Sequence, residues 1–274
     1  MNEERHTSIK FIVLVAYVAM VVVNILASTL PINGVTPGQV SDSYPNLFAP
    51  AGFTFSIWAL IYVLLGGYAL YQMGAFRGYE TPNEGFLNRV GVLFVASSVF
   101  NIGWIFSWHY RQIFLALIFI TAILVCLIMA AQTIDREELS QREKVYVRLP
   151  FGVYFGWLTV ATIANATVWL VSIGWKGLGL SPVTWTVLIL LVGMVIGVLT
   201  LLRFKCTAYG LVLMWAYFGI LMKHLMAAPK GFAGHYPLII MTIGICLVVF
   251  FGAIVYILPS QVESLRKRDY DYPV

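Results

Sequence analysis

Charge is what this chain has least of. Asp, Glu, Lys and Arg make up 11% of the residues, against about 25% in an ordinary soluble domain. Apolar residues make up 60%, so a soluble globular class is excluded and a chain built for lipid is implied. Acidic groups are scarcest where they would matter most. The 12 Asp and Glu residues are Glu3, Glu4, Asp42, Glu80, Glu84, Asp135, Glu137, Glu138, Glu143, Glu263, Asp269 and Asp271. All lie outside the long apolar runs. Ion-coupled transporters keep ionisable groups at mid-membrane, so their absence there argues against a proton- or sodium-coupled pump. It argues equally against hydrolysis inside the bilayer, which needs an acid, a base or a metal. Cysteine is also sparse. Cys126, Cys206 and Cys246 are an odd number at spacings that suit neither a disulfide framework nor a metal site. They read as small packing residues.

What is present is a series of apolar segments. Eight are long enough to cross a hydrocarbon layer of roughly 30 Å, which takes about 20 helical residues. They are Phe11–Leu30, Phe53–Tyr71, Val90–Trp108, Ile113–Ile134, Phe151–Ile173, Val183–Leu202, Tyr209–Met226 and Pro237–Leu258. Backbone groups in lipid must be satisfied within each segment, so the expected fold is an all-α membrane bundle of eight transmembrane helices. The first segment is longer than the roughly 7–15 residues of a signal core and reads as a retained helix.

Lysine and arginine set the expected orientation. Of the 17, all but Arg111, Lys176, Lys223 and Lys230 fall on the side of the N-terminus. Both termini are therefore expected in the cytoplasm. The net charge of +5 is topological, and no nucleic-acid partner is expected.

Polar and aromatic residues concentrate in the first five segments. In the fifth, Trp157, Ala161, Asn165 and Trp169 follow one another at intervals of four. Each step is 400° of helix, so the set drifts by roughly 40° per step and spreads over one broad face. Trp58 and Tyr62 share a face of the second segment, and Asn101, Trp104 and Trp108 share one of the third. A lipid-facing surface has no use for such a mixture; a pocket or a packed interface has. Asn101 and Asn165 serve equally well as interhelical hydrogen-bond partners, contributing roughly 0.6–2 kcal/mol each. Ala161 either leaves room for a ligand or lets helices approach. Trp108, Trp175 and Trp185 sit at segment ends and read as interfacial anchors. His109, His224 and His235 have no metal-ligand spacing, and Lys223 reads as a snorkelling residue. The 21-residue stretch Ile32–Gly52 is expected to be either a lid or disordered.

Pro50 with Trp58 and Tyr62, Asn101 with Trp104, Arg111-Gln112, and Trp157-x3-Ala161-x3-Asn165 together resemble the TspO/MBR family, the tryptophan-rich sensory proteins that include the mitochondrial translocator protein. The resemblance covers about residues 8–175. It implies a five-helix bundle, often dimeric, that binds porphyrins and other flat hydrophobic ligands under the loop between helices one and two. Carried over, it implies a ligand-binding set of Trp58, Asn101, Trp104, Trp157, Ala161 and Asn165, without a metal or a resident cofactor. One departure is that Ala49-Pro50-Ala51-Gly52-Phe53 has a single proline and no tryptophan.

The expected organisation is then a TspO-like five-helix unit over residues 1–178, a three-helix extension over 179–262 and a cytoplasmic tail over 263–274. The leading expectation is a non-enzymatic membrane receptor or carrier for a small planar hydrophobic molecule, tetrapyrrole-like, with porphyrin or haem and membrane lipids as partners and a homodimer as its assembly. A uniporter or permease component without ion coupling, and a non-binding membrane scaffold, remain as alternatives.

Overall fold

The structure, a computed structural model, describes the backbone of residues 2–30, 32–79 and 81–270 and the side chains of 9–30, 32–79 and 81–259. The side chains of Arg5 and of Arg266, Lys267 and Arg268, counted above for orientation, lie outside the described residues. So do Pro31, Glu80 and the last four residues of the expected tail.

Every regular element among the described residues is helical. In order they are α1 (Asn2–Thr29), α2 (Pro37–Asp42), α3 (Ile57–Gln72), α4 (Glu84–His109), α5 (Ile113–Asp135), α6 (Gln141–Glu143), α7 (Leu149–Ser172), α8 (Pro182–Phe204), α9 (Thr207–Leu225) and α10 (Pro237–Tyr270). Among the described residues eight helical stretches are long and apolar enough to cross a membrane, each overlapping an expected segment, with the third and fifth starting earlier, at Glu84 and Gln141. Helix extends past the apolar segments at both ends: α1 begins at Asn2, before the first apolar segment, and α10 runs on to Tyr270, into the expected tail. Hydropathy marks where a helix leaves apolar surroundings, whereas Glu, Arg and Lys sustain helix well beyond that point.

Local chemistry explains the starts and stops. Asn83 caps α4 by accepting from Phe86 N at 3.1 Å, and Ser181 caps α8 by accepting from Thr184 N at 3.1 Å. Pro182 sits in the first turn of α8, where a missing N–H costs nothing, whereas Pro150 follows a π-helical turn, Lys144–Arg148, that leads into α7 without a break. At the end of α8 the chain turns out through Lys205 at φ 47°. Arg148, just before α7, donates from Nη2 to the Phe204 carbonyl at 2.8 Å, so it satisfies the exposed carbonyls of that terminus.

Helix neighbours fall into two groups. Helix α1 packs on α3 and α4, α4 on α5, α5 on α7, and α7 on α3, which closes a ring of five. Helix α10 packs on both α8 and α9, and α9 joins the three to the ring through α7. That joint depends on small residues. A Cβ on Gly156 would stand 2.8 Å from the Tyr209 carbonyl oxygen and 3.0 Å from Val212 Cβ, so only glycine permits this approach. The Tyr209 hydroxyl adds a bond to Thr159 Oγ1 at 3.2 Å.

The stretch Ile32–Gly52, left open above between lid and disorder, is ordered. Thr36 and Gln39 form a reciprocal capping box at the start of α2. Val40 and Phe48 are buried. Asn33 Nδ2 donates to the His109 carbonyl at 3.1 Å, and Trp108 Nε1 donates to the Pro37 carbonyl at 3.0 Å. The stretch thus closes one end of the helix ring. At the opposite end, Glu84 takes both Lys10 Nζ at 3.0 Å and Arg77 Nη1 at 2.7 Å, while Arg89 pairs with Glu137 and Arg203 with Asp135.

Candidate functional site

Beneath the Ile32–Gly52 cover lies a cavity of about 310 Å³. Its walls come from α1, the cover itself, α3, α4, α7 and also α9. Trp58, Trp104, Trp157, Ala161 and Asn165 all line it, so five of the six residues singled out in the sequence converge on one space. Asn101 does not. It is fully buried behind the wall and accepts from Asn24 Nδ2 at 2.7 Å, and Asn24 lines the cavity in its place. The cause is depth along α4 and not direction: Asn101 shares the face of Trp108 to within about 20° but lies some two turns further from the cover, where Asn24 of α1 is bonded to it. Of the two readings open for Asn101, this is the interhelical bond. Asn101→Leu is accordingly expected to lower thermal stability by about 1 kcal/mol while leaving the cavity's lining intact, measured as a melting shift in detergent.

Aromatic geometry dominates the site. Tyr62, Trp58, Trp104 and Trp108 form a column of near-parallel rings. Successive centroids are 5.6, 6.0 and 5.9 Å apart, with interplanar angles of 20°, 28° and 24°. Trp157 meets Trp58 edge-on at 6.2 Å and 83°, and Phe55 meets Trp157 edge-on at 6.0 Å and 85°. Such offset-stacked and edge-to-face pairs are each favourable by about 0.5–1.5 kcal/mol beyond area burial, which holds the wall rigid.

The polar groups are few and placed. Trp104 Nε1 donates to Asn165 Oδ1 at 3.1 Å, and Asn165 Nδ2 donates back to the Ala161 carbonyl at 2.9 Å. That pair fixes the second indole and ties α4 to α7. The Trp157 indole N–H is buried and has no partner. Such a donor is costly to leave unmet in an apolar medium. The lining contains no carboxylate, amine, imidazole or thiol among the described residues.

Several sequence readings change here. Trp169 leaves the stripe and packs on Phe114 of α5 at 5.6 Å; three steps of 40° turn it about 120° away from Trp157. Trp108, read as an interfacial anchor, is 5% exposed and lines the cavity; its i+4 spacing from Trp104 was the signal for this. His224, for which no specific role was legible, bonds through Nε2 to the Leu47 carbonyl at 2.9 Å. His109 is buried against its own helix, Nδ1 donating to the Ile105 carbonyl at 2.7 Å. Among the described residues no cluster of His, Cys, Asp or Glu could hold a metal ion.

The sequence missed the part played by α9. Ala216 and Ile220 complete one wall, and the same helix holds the cover. Ala51 N donates to the Gly219 carbonyl at 3.0 Å, and Trp215 Nε1 donates to the Thr54 carbonyl at 3.0 Å. Helix α9 is therefore part of the cavity's construction as well as the joint between the ring and the last three spans.

Residues 10–256 match the model of a family described as TSPO-like protein. The match thus runs through the last three spans, beyond the region near residue 175 where the motif resemblance ends. No curated protein and no solved structure matches the chain.

Proposed function

The chain belongs to the TSPO-like protein family, and from that premise we propose that it is a membrane receptor or carrier whose cavity takes a compact, flat, apolar molecule. The observation that supports this reading most is the column of four stacked rings forming one wall of an apolar space. A planar molecule laid against that wall continues the stack, and burial of its faces at about 25 cal/mol per Å² provides most of the affinity before ordering costs. The unpartnered Trp157 N–H then orients a ligand that offers an acceptor at its edge.

Size narrows the class. A cavity of about 310 Å³ sits at the lower end of the roughly 300–1,000 Å³ that small-molecule sites occupy. Two or three fused rings suit it as it stands. A tetrapyrrole requires the Asn46–Gly52 part of the cover to move. Binding without chemical turnover is the favoured mode, because among the described residues the lining hydroxyls of Ser28, Ser41 and Tyr62 have no carboxylate, imidazole or amine in the same lining to activate them. The lysine and arginine distribution favours cytoplasmic termini, which puts the cavity in the outer half of the membrane.

The test is tryptophan fluorescence of the purified protein, titrated with a three-ring acridine and with protoporphyrin. Acridine is expected to quench at micromolar concentration, and a Trp157→Phe, Asn165→Ala double variant to weaken it about tenfold. Absence of quenching by either compound removes the binding reading and leaves the scaffold alternative.

A further inference from the structure

A second, larger cavity of about 1,300 Å³ lies between the cover, the end of α7 and the three-helix extension. We propose that it is a separate binding site for a single amphiphile, one with an apolar body and an anionic headgroup of carboxylate or phosphate type. This goes beyond the inner cavity and does not depend on what that cavity binds.

The argument begins with charge. Lys176, Lys223 and Lys230 all border the space, and Asp42 is the one acid beside them. Three of the four basic residues on the loop-bearing end of the protein are thus gathered around one opening. Lys223 is the telling one. Its side chain is only 21% exposed, and its contact with Asp42 is a loose 4.0 Å, with Asp42 itself 75% exposed. A lysine free to snorkel extends its ammonium into water; this one is held largely inside the cleft. A partly buried cation with so weak a partner favours an anion placed beside it.

The rest of the space suits an apolar body. Trp175 and Trp185 meet edge-on at 4.6 Å and 69° and form one side. Phe53 and Phe232 are on the others. Neither indole is used by the inner site. Two elements build this cavity that a five-helix ring lacks: the start of α8, and the α9–α10 connection, whose fold brings Phe232 N to the Lys223 carbonyl at 3.0 Å. The extension therefore supplies a little under half of this site's lining, and the cover and the end of α7 supply the rest. The two cavities share Ser41, Asn46, Ala49 and Gly52 as a common wall, so they are adjacent but distinct.

The test uses cis-parinaric acid and its methyl ester, with energy transfer from tryptophan, on the full chain in non-ionic detergent. The acid is expected to bind at least tenfold more tightly than the ester. A Lys176→Gln, Lys223→Gln, Lys230→Gln triple variant is expected to abolish that preference while leaving ester binding unchanged. Val183→Trp, which fills the space without touching charge, is expected to weaken both. Competition separates the sources: better displacement by lysophosphatidate than by oleate points to a lipid phosphate, and the reverse to a free fatty acid. Equal binding of acid and ester by the unaltered protein overturns the proposal, and this comparison needs no variant to fold. Parallel loss in the Trp157→Phe, Asn165→Ala variant also overturns it, because the probe is then in the inner cavity. Failure of acridine to bind there leaves this result untouched.

Discussion

Ala161→Phe is expected to weaken binding in the inner cavity about 70-fold without unfolding the protein. Ala161 lies one turn from Trp157 and one turn from Asn165, and all three face the same space. A benzyl group at that position projects into the cavity instead of into a packed core, so little strain is expected. What it removes is room. If it denies the ligand about 100 Å² of apolar contact, the loss is about 2.5 kcal/mol, which corresponds to roughly 70-fold in affinity. The measurement is acridine quenching, with the melting temperature in detergent as the control for folding. The variant binding as tightly as the unaltered protein, with its melting temperature unchanged, would show that the ligand does not lie between the α7 stripe and the ring column.

Gly156→Leu is expected to have the largest effect on stability. Glycine there lets α7 approach α9 so closely that a Cβ would meet backbone, the Tyr209 carbonyl oxygen at 2.8 Å. A backbone atom cannot rotate aside as a side chain can. The two helices must separate, at a cost of about 3 kcal/mol or more. Separation also draws α9 away from the cover, through the Ala51–Gly219, Thr54–Trp215 and Leu47–His224 hydrogen bonds. Faster proteolysis within Ile32–Gly52 is therefore expected together with a lower melting temperature. The matched control is Gly67→Ala. Its Cβ would meet the Tyr146 ring at an ordinary 3.6 Å, and replacing a mid-helix glycine by alanine is neutral to stabilising by up to about 1 kcal/mol. If Gly156→Leu melts like Gly67→Ala, the close approach is not what joins the extension to the ring.

How much of the site could be read in advance depends on where its residues stand relative to helical repeats. Trp58, Trp104, Trp157, Ala161 and Asn165 were legible because each belongs to a spaced set of indoles and amides in otherwise featureless apolar sequence. Trp108 was legible as well, but its place at a helix end made interfacial anchoring the more natural reading. Asn24 is a lone amide in the first span, with no spaced partner in the sequence to mark it. Ala216 and Ile220 had no signal, since alanine and isoleucine look the same to a sequence whether they face lipid, a neighbour or a cavity. His224 and Trp215 act through backbone carbonyls of Leu47 and Thr54, and a carbonyl belongs to every residue alike.

The amino-acid sequence alone determined the solvent, the number of spans and the residues with chemistry to offer, because a lipid environment imposes length and backbone satisfaction on each helix separately. Tertiary structure decided which faces meet: that Asn101 backs the wall, that Trp169 leaves the stripe, and that α9 completes one cavity while the start of α8 and the α9–α10 connection border another. Those outcomes depend on the rotation of each helix about its axis and on how near small residues let it come to its neighbour. Both are set by packing between segments far apart in the chain, and neither leaves a periodic mark within any one of them.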